Sequence, residues 1–402
     1  MSEFKTIDDL DVAAKRILLR VDLNVPMQDG KVTDKTRIDR VVPTLIELSK
    51  KGARVIVISH YGRPGGQVVP GMSLSPVART LSQSCGIPIE FAKDTIGMNL
   101  REKINNLSCG EIIMLENLRF YPEEEANDKV FAKKLSSFGD AYVSDAFSCS
   151  HRAHASTEGL AQLLPSAAGR LMQAELESLS LVLENPELPI AAIVGGAKVS
   201  TKMEVLGNLT KKVDMLIIGG GMANTFFLAK GYDVGNSLCE RDMAEHAHDI
   251  LLDAKKNGCE VILPKDCVVA QKFTDGAESQ TVDLDSIPSD SMILDVGLAS
   301  IAHITAKLEQ CKTVVWNGPF GAFELQPFDR GTNAVAKKVA SLTKVGKLTS
   351  VAGGGDTVGA LAHAGVSDDF SYVSTAGGAF LEWLEGKKLP GVEVLRKYSG
   401  FS

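Results

Sequence analysis

The sequence lacks the two glycine patterns that most often mark a nucleotide-binding loop. Neither GxxxxGK[ST] nor GxGxxG occurs among the 402 residues, so the chain is neither a P-loop ATPase nor an obvious dinucleotide binder. Cysteine is also scarce: the seven cysteines are scattered, odd in number, and never form a CxxC pair. That pattern favours reduced thiols over disulfides or a zinc site.

Long apolar runs and an excess of basic charge are missing as well. Stretches such as Ile190–Val194 and Met215–Ile218 are far too short to span a bilayer, and residues 1–10 lack the basic and apolar regions of a secretory signal. The formal net charge of -7 argues against bulk binding of nucleic acid or an anionic membrane. We therefore expect a cytoplasmic protein with no nucleic-acid or membrane partner, in which any anion site is local.

What the chain does contain is a repeated alternation of short apolar runs and helical stretches. Its length exceeds the size at which one core stops growing, which predicts two domains. The alternation predicts right-handed βαβ units around a mostly parallel sheet in each domain. The predicted buried strands are residues 17–21, 55–59, 111–115 and 141–144 in the first half, and 190–194, 215–218, 261–263, 292–294, 314–316 and 349–351 in the second.

A helix-favouring run over residues 167–183 separates the halves, and Asn185, Pro186 and Pro189 then interrupt it. The predicted fold class is α/β, with two doubly wound, Rossmann-like parallel-sheet domains joined by a hinge helix. The predicted parts are an N-terminal domain over residues 1–170, a hinge helix and linker over 171–189, and a C-terminal domain over 190–388.

Polar side chains follow the predicted strands of the first half. In an open parallel sheet, ligands bind beyond the carboxyl ends of the strands, so these side chains share one edge. A single arginine is more often a plain surface charge, but several at one edge make a cationic pocket for phosphate or carboxylate. The residues concerned are Asp22, Asn24, Arg37 at the start of the next helix, His60, Arg63, Asn117, Arg119, His151 and Arg152.

Glycine loops stand at the equivalent places in the second half. Glycine lets a backbone approach a ligand closely, and amides at a helix N-terminus favour negative charge, so such loops can hold the phosphates or the base of a nucleotide. A single glycine loop is often only a tight turn. The loops are residues 195–198, 219–221, 318–321 and 353–357.

Three charged residues near these loops have two interpretations each. Asp356 is either the N-cap of the following helix or a ligand for a magnesium ion that arrives with a nucleotide. Lys198 and Lys202 are expected one helical turn apart on one helix face, where both can point at a phosphate chain. The alternative is that both lysines are solvated surface residues.

Two further groups of polar residues, a pair of histidines and a run of three glutamates, are not expected to bind a ligand. His151 and His154 stand three residues apart, but no HExxH motif and no cysteine or carboxylate partner completes a metal site, so we favour a hydrogen-bonding role. The acidic run at residues 123–125 is expected to lie in a solvated loop.

Eight segments form an ordered set across almost the whole chain. They are RVDLNVP at 20–26, SHYGRP at 59–64, LENLRFYPEEEAND at 115–128, DAF at 145–147 with HRAHAST at 151–157, GGAKV at 195–199, GGGMANTFF at 219–227, WNGPFGAFE at 316–324 and GGGDT at 353–357. Together and in this order they resemble the signatures of the phosphoglycerate kinase family. Leu298 departs from the pattern, because proline is expected there after Gly297.

The resemblance implies a site for each substrate, with the active site in an interdomain cleft and a C-terminal tail, residues 389–402, that joins the first domain. It implies that 3-phosphoglycerate is held by Asp22, Asn24, Arg37, His60, Arg63, Arg119 and Arg152. On the nucleotide side it implies Lys198 and Lys202 on the phosphates, Gly219, Gly220, Gly221, Gly297 and Pro319 around the adenosine, and Glu324 on the ribose. Gly354, Gly355, Asp356 and Thr357 would cradle the phosphates, with Mg²⁺ at Asp356.

The activity implied is reversible, direct in-line phosphoryl transfer from 1,3-bisphosphoglycerate to MgADP, carried out by a monomer. Arg37, Lys198, Lys202, Gly354 and Gly355 would be catalytic. In the reverse direction the nucleophile is a carboxylate that is already ionised, so the reaction needs no general base. An NAD-dependent dehydrogenase is disfavoured by the missing fingerprint, and a non-catalytic binding protein is disfavoured because every polar position above is intact.

Overall fold

The computed structural model describes residues 4–396, which divide into two compact units. The first unit consists of residues 4–177 with 388–396, and the second of residues 178–387. The predicted hinge over residues 171–189 stays a prediction, and residues 397–402 of the predicted tail lie outside the described part of the chain. Among the described residues, no helix is both long enough and apolar enough to cross a membrane.

The first unit is a parallel sheet with helices on both faces. Its elements in chain order are β1 Arg16–Val21, β2 Met27–Gln28, β3 Lys31–Val32, α1 Thr36–Lys50, β4 Arg54–Ile58, α2 Ser75–Cys85, β5 Ile89–Phe91, α3 Met98–Asn105, β6 Ile112–Met114, α4 Pro122–Glu125, α5 Lys129–Ser136, β7 Ala141–Asp145, β8 Ser166–Ala168 and α6 Arg170–Leu183, of which α6 continues into the second unit. The sheet has the order β5-β6-β4-β1-β7-β8, and all of its pairs are parallel.

The second unit repeats this plan and adds a small antiparallel sheet. Its elements are β9 Ile190–Val194, α7 Met203–Leu209, β10 Met215–Ile218, α8 Gly221–Ala229, α9 Ala244–Lys256, β11 Glu260–Ile262, β12 Asp266–Ala270, β13 Ser279–Asp283, β14 Met292–Val296, α10 Leu298–Leu308, β15 Thr313–Asn317, α11 Arg330–Lys344, β16 Thr349–Gly353, α12 Gly355–His363, β17 Tyr372–Ser374 and α13 Gly377–Leu384. The parallel sheet has the order β11-β10-β9-β15-β16-β17.

Alternate residues of the central strands fill two separate cores in the first unit. Leu19 of β1 and Val57 of β4 pack on one face of the sheet, with apolar residues of α1 and α2. Leu18 and Ile56 pack on the other face, with residues of α3 and α5. Strands buried on both faces need apolar side chains at nearly every position, which explains their continuous hydrophobic runs.

Two predicted elements differ from the structure. Residues 292–294 do form a strand, but this strand, β14, belongs to an antiparallel sheet of order β13-β12-β14 rather than to the parallel one. The helix predicted over residues 167–183 begins only at Arg170. Its first residues instead pair with β7 as strand β8, because backbone pairing at the sheet edge outweighs the helix propensity of two alanines.

A last short helix, α14 (Pro390–Glu393), completes the first unit. The amide of Gly391 donates to the carbonyl of Ser150 at 2.9 Å, and the side chains of Val392 and Leu395 are buried. Phe4 and Arg396 form an antiparallel bridge. Both ends of the described chain therefore belong to the first unit.

Candidate functional site

In the first unit, the loops after four adjacent strands meet at the carboxyl edge of the sheet. Strands β6, β4, β1 and β7 are neighbours in this order, so the residues that follow them are brought together although they lie far apart in the sequence. The loops carry Arg119, His60, Asp22 and Ser148, respectively. The predicted convergence of polar side chains at this edge is present.

Arg37 and Asp22 form the best-defined contact at this edge. Arg37 is the second residue of α1, and its Nη1 donates to Asp22 Oδ2 at 2.8 Å and to the carbonyl of Asn24 at 3.1 Å. Ser148 also donates to Asp22 Oδ2. Burial raises the pKa of Asp22, but Arg37, Ser148 and the Asn24 amide more than offset this, so the net pKa is lowered and the carboxylate is ionised at pH 7.

His60 lies beside a buried arginine that was not singled out from the sequence. Arg20, the fifth residue of β1, places its Nη2 3.1 Å from His60 Nδ1. Because a guanidinium can only donate, Nδ1 is the acceptor and the ring proton of His60 lies on Nε2. Burial and the charge of Arg20 hold the pKa of His60 well below its ordinary value. The imidazole is therefore neutral at pH 7.

Arg20 is compensated by Glu124, which corrects the expectation of a solvated acidic loop. The segment containing the three glutamates is helix α4, and the Glu124 side chain is completely buried. It accepts hydrogen bonds from the amide and the hydroxyl of Ser156, and the same hydroxyl accepts from Arg20 Nε at 2.9 Å. A buried guanidinium needs such a partner. The neighbours Glu123 and Glu125 are exposed, as expected.

The other predicted residues of this edge differ in exposure. Arg119 is buried, and its Nη1 donates to the carbonyl of Gly62 at 2.7 Å, whereas Arg63 is exposed directly beyond that glycine. Asn24 Oδ1 accepts from the Gly62 amide at 3.0 Å. Arg152 is half-buried and donates from Nε to His151 Nε2 at 3.0 Å. Two of these cationic residues, Arg119 and Arg63, therefore lie against or next to Gly62.

Asp22, His60 and Cys149 also bring three potential metal-ligand atoms within 4.8 Å of one another. Two of the three already accept from a guanidinium group, Asp22 from Arg37 and His60 from Arg20. Burial raises the pKa of the Cys149 thiol, which keeps it protonated. A cation would have to displace or approach these arginines, so the edge favours an anion.

In the second unit, the carboxyl ends of four adjacent strands carry the glycine loops. Strands β10, β9, β15 and β16 are neighbours in the sheet. The loops after β9 and β15 touch so closely that a Cβ atom on Gly318 would lie 2.2 Å from the carbonyl oxygen of Gly195. Gly318 also has a φ of +106°, which L side chains rarely adopt. Only glycine allows these two loops to meet.

Lys202 lies where these two loops meet, beside the start of α7. Its Nζ donates to the carbonyl oxygens of Gly195 at 2.5 Å and Asn317 at 3.1 Å, and to Asn317 Oδ1 at 2.6 Å. Burial lowers the pKa of Lys202 to about 8, and the carboxylate of Asp356 partly opposes this effect. The site therefore holds a half-buried ammonium group whose hydrogen-bond acceptors are all neutral oxygens.

The expected shared helix face of Lys198 and Lys202 is wrong. Lys198 lies in irregular backbone after β9 and is exposed, while Lys202 ends a single turn of 3₁₀ helix, Ser200–Lys202. The regular helix α7 begins only at Met203, after both lysines. Glu240 accepts hydrogen bonds from the amide and the hydroxyl of Ser200, and these bonds lower the pKa of Glu240 against the opposing effect of burial. The charge of the nearby Lys198 also contributes to the lowered pKa of Glu240.

The loop after β16 turns directly into α12. Gly354 is the N-cap, with a φ of +99°, and Gly355 is the first helical residue. The interpretation of Asp356 as the N-cap is therefore wrong. The exposed carboxylate of Asp356 lies in the first turn of the helix. Thr357 is buried, and its Oγ1 accepts from the amide of Gly318 at 2.7 Å, which ties this loop to the loop after β15.

A cavity of about 520 Å³ opens beside these loops in the second unit. Its lining includes the predicted residues Gly220, Gly221, Pro319, Glu324 and Asp356. Its interior is mainly apolar, with walls from α8, from β14 and from the segment after β15. The apolar lining includes Phe227, Leu238, Met292, Leu294 and Phe323. A mainly apolar lining with a few polar groups is the usual form of a small-molecule site.

Two of the glycines predicted around the adenosine, Gly219 and Gly297, are not among the residues that line the cavity. A Cβ atom on Gly219 would meet the ring of Phe320 at 2.4 Å, and one on Gly297 would meet Asp266 Oδ2 at 2.2 Å. Gly297 caps α10, and Leu298 is the first helical residue, with 78% of its surface exposed. Proline is readily accommodated at that position of a helix. Leu298, the departure from the family pattern, is not among the residues that line the cavity.

The sequence did not point to three residues that contact predicted site residues: Arg20, Ser148 and Asn317. Asn317 binds Lys202 and also donates from Nδ2 to the carbonyl of Gly353 at 2.7 Å, so it joins two glycine loops. Its place directly after a predicted strand was a usable signal. Arg20 carried none, because a charged residue inside an apolar strand gives no indication of its distant partners.

Comparisons with known proteins agree with this geometry. Residues 7–387 match the family model described as "Phosphoglycerate kinase". The chain is 60% identical over 397 residues to a phosphoglycerate kinase of Methylorubrum extorquens (strain PA1), covering 98% of this chain and 99% of that protein. It is 59% identical over 396 residues to one of Agrobacterium fabrum (strain C58), with the same coverage.

Solved structures give the same result. The structure of phosphoglycerate kinase from Coxiella burnetii matches with a TM-score of 0.90 and 41% identity over 98% of each chain. The enzyme from Pyrococcus horikoshii OT3 matches with a TM-score of 0.80 and 32% identity, over 97% of this chain and 98% of that one. The chain therefore belongs to the phosphoglycerate kinase family and is a phosphotransferase of glycolysis with a carboxyl group as acceptor.

Proposed function

We propose that the two strand edges are the two substrate sites of this phosphotransferase. Asp22, Asn24, Arg37, His60, Arg63, Arg119 and Arg152 would bind 3-phosphoglycerate in the first unit. In the second unit, Lys198, Lys202, Gly220, Gly221, Pro319, Glu324 and the loop over residues 354–357 would bind ADP or ATP. Gly219 and Gly297 would act indirectly, by shaping the wall of the cavity.

The environment of Lys202 is the observation that carries the nucleotide assignment. Its ammonium is half-buried, and its three acceptors are neutral oxygens, so the charge is not balanced within its own hydrogen bonds. The N-terminus of α12 adds partial positive charge close by. A polyphosphate placed between them would supply the missing negative charge, and the cavity would take the base.

The acid site is suited to an anion with two charged ends. Arg63 is exposed and Arg119 lies behind it, which suits ground-state binding of the permanent phosphate. Arg37 is half-exposed and paired with Asp22 through one of its two terminal nitrogens, so Nη2 can face a reacting group. We propose that Arg37 and Lys202 stabilise the charge that develops on the transferring phosphoryl group.

The titration states support transfer without a general base. His60 is neutral, and its Nδ1 is held as an acceptor by Arg20, so the ring can donate from Nε2 to a substrate oxygen. Asp22 is ionised and held by Arg37. The acceptor carboxylate of 3-phosphoglycerate is already ionised at neutral pH. The protein then has only to position the two substrates and neutralise charge.

Asp356 is the residue that would hold Mg²⁺. Its carboxylate is exposed, lines the cavity, and stands in the first turn of the helix that would bind the phosphates. Magnesium commonly binds one or two carboxylates together with substrate phosphates and water, so a single carboxylate fits this ion. The metal, when bound with the nucleotide, would neutralise part of the phosphate charge.

Separate binding measurements test the two assignments against each other. Ala223 lines the cavity, and Ala223→Phe should fill it and weaken ADP binding at least ~10-fold, while the affinity for 3-phosphoglycerate stays the same. Arg63→Ala should do the reverse. Calorimetry with each ligand alone measures both effects. Loss of 3-phosphoglycerate binding in Ala223→Phe, or of ADP binding in Arg63→Ala, would contradict the assignment.

We also propose that residues 171–189 act as a hinge in a cytoplasmic, monomeric enzyme. The reaction needs the acid and the nucleotide in line, and the two ligands are assigned to different units of the chain. Small-angle scattering should show compaction of the protein only when both substrates are present. A ternary mixture that scatters like the free protein would exclude closure at this hinge.

A further inference from the structure

Asn117 is a polar residue at the carboxyl edge of the first sheet that the substrate assignment above leaves without a role. Its side chain is fully buried. Nδ2 donates to the carbonyl oxygens of Tyr61 at 2.7 Å and Met72 at 3.0 Å, and Oδ1 accepts from the amides of Tyr61 at 3.0 Å and Arg119 at 3.1 Å. An asparagine amide can donate two hydrogen bonds and accept two. Asn117 has therefore no capacity left for a ligand, and any role in binding must act through other residues.

The first of these neighbours is the loop that carries Arg63. This Arg63 loop covers residues 61–72, and four of its twelve residues are glycine. Such a segment has much conformational freedom to lose, so it needs external hydrogen bonds to stay in one conformation. Tyr61 is its first residue and Met72 its last, and one nitrogen atom of Asn117 bonds both of their carbonyl oxygens. Asn117 therefore closes the loop at its base.

The second neighbour is the short turn that carries Arg119. Asn117 is the N-cap of a single 3₁₀ turn, Leu118–Phe120, because its Oδ1 accepts from the Arg119 amide. Arg119 in turn donates from Nη1 to the carbonyl of Gly62, the residue before Arg63. The backbone segments of the two arginines that are assigned to the permanent phosphate thus meet at one buried amide group.

We propose that Asn117 is a positioning residue for 3-phosphoglycerate, which holds the Arg63 loop against the Arg119 turn and so fixes the two arginines relative to each other. This rests on the proposed function of the first-unit edge as the acid site. A loop that is not held in place must be ordered when the ligand binds, and this cost lowers affinity. Arg37 is held by Asp22 and Asn24 instead, so the transfer step should depend much less on Asn117.

Two variants release the Arg63 loop in different ways. Asn117→Ser keeps an oxygen that can cap the Arg119 amide but loses both donors to the loop. Asn117→Asp keeps the shape and the acceptors of asparagine but sets a carboxylate against the carbonyls of Tyr61 and Met72. In both variants the dissociation constant for 3-phosphoglycerate, measured by calorimetry, should rise ~10-fold or more, while kcat at saturation stays within about 3-fold of the wild type. The affinity for ADP should not change.

A matched control and a second background separate positioning from plain stability. Thr95 is also buried, and its hydroxyl donates at 3.1 Å to the carbonyl of Glu116, the residue before Asn117. Thr95→Val should therefore lower the melting temperature, as Asn117→Ser does, but leave the affinity for 3-phosphoglycerate at the wild-type value. In the Arg63→Ala background, Asn117→Ser should weaken binding by a much smaller factor than in the wild type, because one of the groups it misplaces is gone.

The outcomes distinguish this inference from the assignment of the site. Wild-type affinity in both Asn117 variants would overturn the inference, and Asn117→Ser decides alone if the buried charge of Asn117→Asp prevents folding. An equal factor with and without Arg63, or a similar loss of affinity in Thr95→Val, would also overturn it, since a merely structural role predicts these results. If Arg63→Ala alone leaves 3-phosphoglycerate binding unchanged, the assignment of the acid site fails, and the inference fails with it.

Discussion

Nucleotide affinity should depend on the protonation of Lys202. A pKa of about 8 means that the free protein carries this charge in about nine-tenths of molecules at pH 7 but in about one-tenth at pH 9. Bound phosphates favour the charged form, so binding at pH 9 must first protonate the lysine. The dissociation constant for MgADP should therefore rise roughly 10-fold between pH 7 and pH 9, which corresponds to about 1.4 kcal/mol.

Isothermal titration calorimetry can measure both the affinity and the proton. Because the pKa rises on binding, the complex should take up about half a proton per ADP at pH 8, visible as a dependence of the binding enthalpy on the buffer. Lys202→Arg keeps the charge at every pH, so its affinity should change much less over this range. Lys211→Met removes an exposed lysine and should follow the wild type. A wild-type affinity that is constant from pH 7 to pH 9, without proton uptake, would refute the reasoning.

The remaining predictions concern one catalytic and two structural positions. Arg37→Ala should lower kcat ~10³-fold with a smaller rise in KM for 3-phosphoglycerate, and Arg37→Lys should recover part of it; a normal kcat would remove Arg37 from the transfer step. Glu124→Ala should cost about 3 kcal/mol in urea unfolding because a buried guanidinium loses its counter-charge, whereas exposed Glu123→Ala should change stability by less than about 0.5 kcal/mol. Gly318→Ala should lower the free energy of unfolding by about 3 kcal/mol or more, because the new Cβ would collide with a carbonyl oxygen. Gly207→Ala, at an uncrowded helical position, should instead raise it by about 0.5–1 kcal/mol. Equal shifts in melting temperature for the two variants would contradict this prediction.

The sequence predicted the central strands and the edge strand β11, but it missed the edge strands β5, β8 and β17. Strands such as β1 and β9 are buried on both faces, so their continuous apolar runs are visible without any knowledge of their partners. The edge strands β5, β8 and β17 have three residues each and are less apolar or less buried than the central strands. The sequence therefore contains no continuous apolar run that would indicate them. The antiparallel pairing of β14 was not predictable either, because pairing depends on residues elsewhere in the chain.

The same distinction applies to the candidate site. The convergence of Asp22 and His60 follows from topology, since residues after adjacent parallel strands must share an edge. The position of Asn317 directly after a predicted strand indicated a place at the sheet edge, but its partner and that of Ser148 lie more than a hundred residues away and could not be predicted. Glu124 was misjudged because a run of three glutamates normally lies in water, while here one turn of helix directs the middle one inward.

The attachment of Gly391 to Ser150 has a consequence for the order of events during synthesis. Residues 388–396 leave the ribosome only after the whole second unit, roughly 200 residues, has been made, which takes about 10–40 s at ordinary translation rates. Until then the loop that carries Ser148 and Arg152 lacks the hydrogen bond to Gly391 and the cover of Val392. A nascent chain should therefore acquire the proposed 3-phosphoglycerate site last, although that site is built mostly from residues made first.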